Sequence, residues 1–261
     1  LPPWPPKTPI VSEAHYLPFN REQPFTTPYE LKASDGKMWI RPGFGGEWQP
    51  FIIKGTNWAG FQSQTGCVHE LYKYNASDYI DVLTNNNFNA VRLPLSAPII
   101  TWKYHGWRWK NHWAAPATEL GEEYPCNSRC GEYNGQYSLD ILDDVISRLR
   151  DAGIFVMLDM HTIDFPDGNT GDWNDWHIGE QLIFDAWERL ARRYCRYPNV
   201  ILADVFNEPY GATWPQWKSF VERIGARILE WCPRWLIVAE GIGGDQFCWG
   251  ENIWGQATQP I

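Results

Sequence analysis

The chain has 261 residues, 44% of them hydrophobic with charges interspersed, which suits one large globular domain and excludes a disordered chain. Its net charge of -9 has the wrong sign for a phosphate-binding surface and no dense Lys/Arg stripe is present, so no nucleic-acid partner is expected. No apolar run approaches the length that spans a bilayer, so no membrane partner is expected either.

Residue 1 is Leu, and neither an initiator Met nor a signal peptide precedes it, so the chain reads as already processed or as a fragment. Residues 1–28 are rich in proline ("LPPWPPKTP", then Pro18, Pro24 and Pro28) and read as an extended surface arm, since each proline removes a donor and fixes φ. A first strand is expected from Phe51 in "FIIKGTNWAG". A helix starts near Ser77 in "ASDYIDVLTNNN", with apolar Tyr79, Ile80, Val82 and Leu83. "FNAVRLPLS" is a second strand, stopped at Pro94. The Trp- and Gly-bearing excursion from about Ala97 to Tyr137 is too long for an ordinary connection and reads as a functional loop or an elaboration. An amphipathic helix follows, with Ser138 as N-cap and Gly153 as stop.

The remainder alternates regularly. "IFVMLDMH", "VILADVFNEP" and "WLIVAEG" are strands separated by the helices "GEQLIFDAWERLARRY" and "PQWKSFVERIGARILEWC". Near-continuous apolar strands between amphipathic helices predict a parallel sheet buried on both faces. Each strand ends on polar groups: Asn57-Trp58, Arg92, His161, Asn207-Glu208 and Glu240. Groups gathered at the carboxyl ends of successive parallel strands are what a (β/α)8 barrel presents at its active face. An open doubly wound sheet also collects ligands there, but "GTNWAG" lacks the phosphate-turn spacing usual in that fold.

Seventeen Trp residues suit a surface that stacks sugar rings, and suit an aromatic core equally well. The six Cys (67, 126, 130, 195, 232 and 248) match no zinc pattern. Their even count suggests an oxidising compartment and disulfides, with Cys195–Cys232 the expected pair because both end successive predicted helices. Asn75-Ala76-Ser77 is an N-glycosylation acceptor if the protein is secreted from a eukaryotic cell.

Taken in order, "GTNWAGF" (55–61), "NAVRLPLS" (89–96), "VMLDMH" (156–161), "VFNEP" (205–209) and "LIVAEG" (236–241) resemble glycoside hydrolase family 5 in its cellulase-like part. The resemblance covers roughly residues 50–255. It implies an α/β fold, a (β/α)8 TIM barrel of which this chain supplies about the first five βα units. Residues 1–49 are then an arm and lead-in, and 50–261 the barrel portion. The implied activity is retaining endo-hydrolysis of a β-1,4-glucan outside the cell, without a cofactor or metal; β-mannan or another β-glucan is the alternative substrate. Glu208 is the implied general acid/base and Asn207 the adjacent sugar ligand. Arg92 holds the carboxylates and His161 lines the pocket. Trp58, Trp173, Trp176, His177 and Trp249 are the expected substrate contacts. A Glu closing a buried strand is partly withdrawn from water, which favours its proton-donating form, and glycoside hydrolysis needs such an acid beside a second carboxylate.

The family's nucleophile is a Glu ending the seventh strand, and no such strand is found here. Glu240 follows Glu208 by one helix and is not assigned that role. Asp159 reads as an interior hydrogen-bonding residue. A five-strand portion leaves an edge unpaired, so a C-terminal segment or second chain is expected to complete it. A catalytically inactive glycan-binding or structural assembly protein on the same barrel is the rival expectation.

Overall fold

The structure, a computed structural model, describes residues 25, 27–43, 45–63, 65–101, 108–109, 112–113, 128–163 and 179–243. Outside them lie residues 1–24 of the proline-rich arm, Trp102, Trp107, Cys126, Cys248 and four of the expected substrate contacts, Trp173, Trp176, His177 and Trp249.

Three short strands come first: β1 (Tyr29–Ser34), β2 (Lys37–Pro42) and β3 (Gln49–Phe51), an antiparallel sheet in that order. Asp35 and Gly36 turn β1 into β2 with φ of 56° and 68°, the two left-handed positions that a type I′ hairpin requires. The larger sheet is built from β4 (Gly55–Asn57), then helix α1 (Ala76–Asn85), β5 (Ala90–Ser96) and the short α2 (Ala97–Thr101). A small antiparallel pair follows, β6 (Arg108–Trp109) with β7 (His112–Trp113). The chain continues with α3 (Ser138–Asp151), β8 (Phe155–Thr162), α4 (Gly179–Tyr194), β9 (Val200–Asp204), α5 (Trp214–Trp231) and β10 (Leu236–Val238).

The five strands β4, β5, β8, β9 and β10 lie side by side in chain order, every neighbouring pair parallel. A doubly wound sheet reverses its strand order at a switch point. An unbroken sequential order is that of a barrel wall. Among the described residues β4 and β10 each pair on one side only, so the wall is open.

Strand alternation sorts the side chains. Val91, Leu93 and Leu95 of β5 and Val156, Leu158 and Met160 of β8 share one core with Ile141, Val145 and Leu149 of α3, Trp187 and Leu190 of α4, and Phe220 and Ile224 of α5. These helical positions recur at three- and four-residue spacing, the stripe a helix buries against a sheet. Burying each such aliphatic side chain is worth about 1.5–3 kcal/mol. The opposite parity faces the barrel interior and divides by height. At its foot Ala90, Phe155 and Leu202 pack on Phe25, Ile40 and Phe51, so the β1–β3 sheet floors the barrel. Above it, toward the carboxyl ends of the strands, the interior positions include Arg92, Asp159 and Asp204, and with them the chemistry begins.

Two disulfides join described residues, Cys67–Cys130 and the expected Cys195–Cys232. Three expectations need correction. Phe51 does not open the first barrel strand; it ends β3, paired with Met38, and β4 is only Gly55–Asn57. Pro94 does not stop β5, which runs on to Ser96. β4 pairs no further than Arg92, so from there β5 has only β8 beside it, and a missing N–H on the free side disrupts no ladder. Ser138 is the first residue of α3, with Tyr137 as N-cap, while Gly153 at φ 73° ends the helix as expected.

Candidate active site

Arg92 organises the site. Its Nη2 donates to Asp204 Oδ2 (2.9 Å), Asn207 Oδ1 (2.8 Å) and Glu240 Oε1 (2.9 Å), and its Nε to Asp204 Oδ2 (3.1 Å). Asp159 Oδ2 lies 3.2 Å from the same nitrogen and 2.7 Å from His161 Nδ1. Asp159, Asp204 and Asn207 are buried. Four strands thus contribute to one cluster: Arg92 from β5, Asp159 and His161 from β8, Asp204 and Asn207 from the end of β9, and Glu240 from just beyond β10.

Three carboxylates share one guanidinium, and the proton affinities follow from that ratio. Burial alone pulls Arg92 down, but Asp159, Asp204 and Glu240 outweigh it and keep the cation charged. Burial pushes Asp159 and Asp204 well above the usual carboxylate range, and one cation does not offset it for both. Each of these carboxyls makes its contacts through Oδ2, and its Oδ1 has no partner among the described residues. Burial, then the charge of Arg92, pushes His161 down to about 4. The imidazole is therefore neutral at neutral pH; where Asp159 is ionised its Oδ2 accepts the Nδ1 proton, which leaves Nε2 as the acceptor nitrogen.

The Asn207-Glu208 corner is pinned from both neighbouring strands. The Asn207 N–H donates to Met160 O of β8 (3.0 Å), and the Val205 N–H to Val238 O of β10 (3.0 Å). Glu208 is partly exposed, has φ 46°, and donates its N–H to Glu240 Oε2 (2.9 Å). Because Asn207 Oδ1 is occupied by Arg92, the side chain's orientation is fixed and its Nδ2 donors have no partner among the described residues. Trp58 stands beside Arg92 through its backbone, its N–H donating to Arg92 O (2.9 Å). Its indole turns toward α1, with Nε1 3.5 Å from His69 O and the ring 5.6 Å from Tyr79.

This geometry brings together Arg92, His161, Asn207, Glu208 and the backbone of Trp58. It adds Asp204, which the sequence reading passed over, and gives Glu240 two contacts at the centre. The signal for Asp204 was available: a carboxylate inside so apolar a strand as "VILADVF" must find a partner or stay neutral.

The chain that builds this parallel wall and its Arg-centred carboxylate cluster matches the family model for cellulase (glycosyl hydrolase family 5) over residues 49–260. The chain belongs to glycosyl hydrolase family 5. This family 5 chain is 33% identical over 225 residues to the major extracellular endoglucanase of Xanthomonas campestris pv. campestris, a match covering 80% of this chain and 42% of that one. It is 28% identical to an endoglucanase of Paenibacillus polymyxa, covering 80% and 52%. Among solved structures, a cellotetraose complex of an endocellulase from Pyrococcus horikoshii superposes with a TM-score of 0.73 at 27% identity, covering 90% of this chain and 66% of that chain. The catalytic domain of the Xanthomonas enzyme gives 0.66 at 31% identity, covering 84% and 62%. The family 5 chain therefore spans about half the length of these curated relatives and under two thirds of the second of these solved domains.

Proposed function

We propose that the protein carrying this chain is a retaining endo-glycosidase acting on β-1,4-glucan, with Glu208 as its general acid/base. The observation that carries the reading is the Asn207-Glu208 corner, held at the carboxyl end of β9 in one hydrogen-bond network with Arg92. Glu208 gives its proton to the glycosidic oxygen as the bond to the anomeric carbon breaks, then takes a proton from the water that releases the sugar. The Asn207 Nδ2 group donates to a hydroxyl of the sugar at the point of cleavage. Neutral His161 adds no positive charge beside the acid, and its Nε2 accepts from a sugar hydroxyl. Trp173, Trp176, His177 and Trp249 are proposed as glycan contacts, as is Trp58.

A retaining mechanism needs a second carboxylate about 5–5.5 Å from the first, as the group that attacks the anomeric carbon. We assign it to a C-terminal segment, or a second chain, that completes the barrel against the open edges of β4 and β10. The two disulfides support a protein that works outside the cell.

Glu208→Gln in the full-length protein tests the reading. Hydrolysis of cello-oligosaccharides, whose leaving group needs a proton, should fall by about 10²–10⁴. Cleavage of dinitrophenyl β-cellobioside, whose leaving group needs none, should keep its bond-breaking step. Undiminished hydrolysis of the oligosaccharides would sink the assignment.

A further inference from the structure

Glu240 takes no part in the chemistry proposed above, yet its carboxylate touches both sides of the corner that carries it. Oε1 accepts from Arg92 Nη2, and Oε2 accepts from the backbone N–H of Glu208, each at 2.9 Å. Its own carbonyl accepts from Nε1 of Trp217, a fully buried residue of α5 (2.9 Å). The side chain is thus anchored at both ends. The segment after it holds the far side of the same corner, because the Gly243 N–H donates to Pro209 O (2.7 Å) and Gly243 bridges to Tyr210.

What is held is a disfavoured conformation. Glu208 has φ 46°, a region that residues other than glycine seldom enter, and it precedes Pro209, which further restricts its backbone. Such a conformation persists where the surroundings over-determine it. Here an anionic acceptor receives the Glu208 N–H and so fixes the peptide plane from which φ is measured, while the Gly243–Pro209 bond fixes the chain on the other side; charge-assisted bonds of this kind are stronger than neutral ones.

We infer that Glu240 is a positioning residue that fixes the direction of the Glu208 carboxyl by holding its backbone left-handed. The inference rests on Glu208 being the acid/base. The site demands a carboxylate here. Two donors converge on the side chain, one N–H from a guanidinium and one from the backbone, and only a carboxylate meets both with oxygen. An amide meets one of them and turns its own N–H toward the other.

The test is Glu240→Gln in the full-length enzyme, read as the ratio of kcat/KM on a cello-oligosaccharide to kcat/KM on dinitrophenyl β-cellobioside. Both rates come from the same folded molecules, so the ratio does not depend on how much of the variant folds. A displaced acid slows only the substrate that needs a proton, and the ratio should fall about 10-fold or more, a part of the 10²–10⁴ that general acid catalysis supplies. An unchanged ratio, whether both rates fall together or neither does, overturns the inference. Glu208→Gln is measured alongside. If it collapses the ratio and Glu240→Gln does not, the positioning role alone fails. If Glu208→Gln leaves the ratio intact, the acid/base assignment fails and takes the positioning role with it.

Discussion

Around Arg92 the carboxyl groups outnumber the one cation, and His161, held neutral, adds no charge of either sign. Its pKa of about 4 lies below the ordinary 6.5, so between those values the unfolded chain binds a proton that the folded chain refuses. The resulting stabilisation is fully present above about pH 6.5 and is lost as pH falls toward 4; a shift of this size corresponds to roughly 3 kcal/mol. Asp159 and Asp204 act with the opposite sign, since carboxyls raised by burial favour the fold at low pH and lose that contribution as pH rises through their raised values. The wild-type curve therefore mixes both, and a difference isolates the histidine. In denaturant unfolding of the full-length protein, His161→Asn should gain stability relative to wild type as pH is lowered from 7 to 4. Parallel curves would show that the imidazole is not held neutral. Arg92, His161, Asn207 and Glu208 were legible as a group because each was read as the polar end of a predicted strand. Asp204 was not, because the apolar run continues past it to Phe206 and hid it, although it is the last residue of β9, and the contacts of Glu240 were not, because a backbone N–H leaves no mark in the sequence.

Among the elements, the junction of α4, β9 and α5 is the most heavily fastened. Cys195 follows α4 directly and Cys232 caps α5. Arg234 donates to the carbonyls of Cys195 (2.9 Å), Tyr197 (2.5 Å) and Val200 (2.7 Å), covering chain ends that the helix leaves open. The disulfide closes a loop with a sequence separation of 37, for which the chain-entropy account gives about 4 kcal/mol. Replacing both cysteines with serine should cost roughly 2–4 kcal/mol. Non-reducing denaturation of the two proteins measures it, and reductant should then narrow the gap. If reductant leaves the gap unchanged, the loss comes from the substitutions and not from the cross-link. Helices α3, α4 and α5 were readable from their apolar spacing, and that spacing brought the cysteine pair with it. The β1–β2 hairpin was passed over although Asp35-Gly36 marks its turn, because the proline-rich stretch before it suggested an arm. β4 gave no signal of its own: its three residues are all exposed, and the apolar residues credited to it begin with Phe51, which belongs to the floor.

At the scale of the whole molecule, the described wall presents two unpaired edges and an interior lined with charge. β4 is exposed along its length and β10 is only half-buried, so both edges offer backbone donors and acceptors to another strand. The floor sheet closes the foot of the barrel but lies across the strands' starts, where it pairs with neither edge. The helix side, by contrast, is a continuous core from α1 to α5. Such a body has enough buried apolar surface to collapse and too little pairing to stop growing at its edges. On the proposed reading, further strands occupy those edges. Residues 1–261 produced alone should therefore associate through β4 and β10 and bind a dye that reports exposed apolar surface. If the proposed completing segment exists, adding it should yield a monodisperse complex with a sharp unfolding transition and the proposed hydrolytic activity. Sedimentation and calorimetry distinguish the cases. A monomer of residues 1–261 that unfolds in one cooperative step, with no partner present, would mean that the open wall is self-sufficient and that the edges are protected by something other than completion of the barrel.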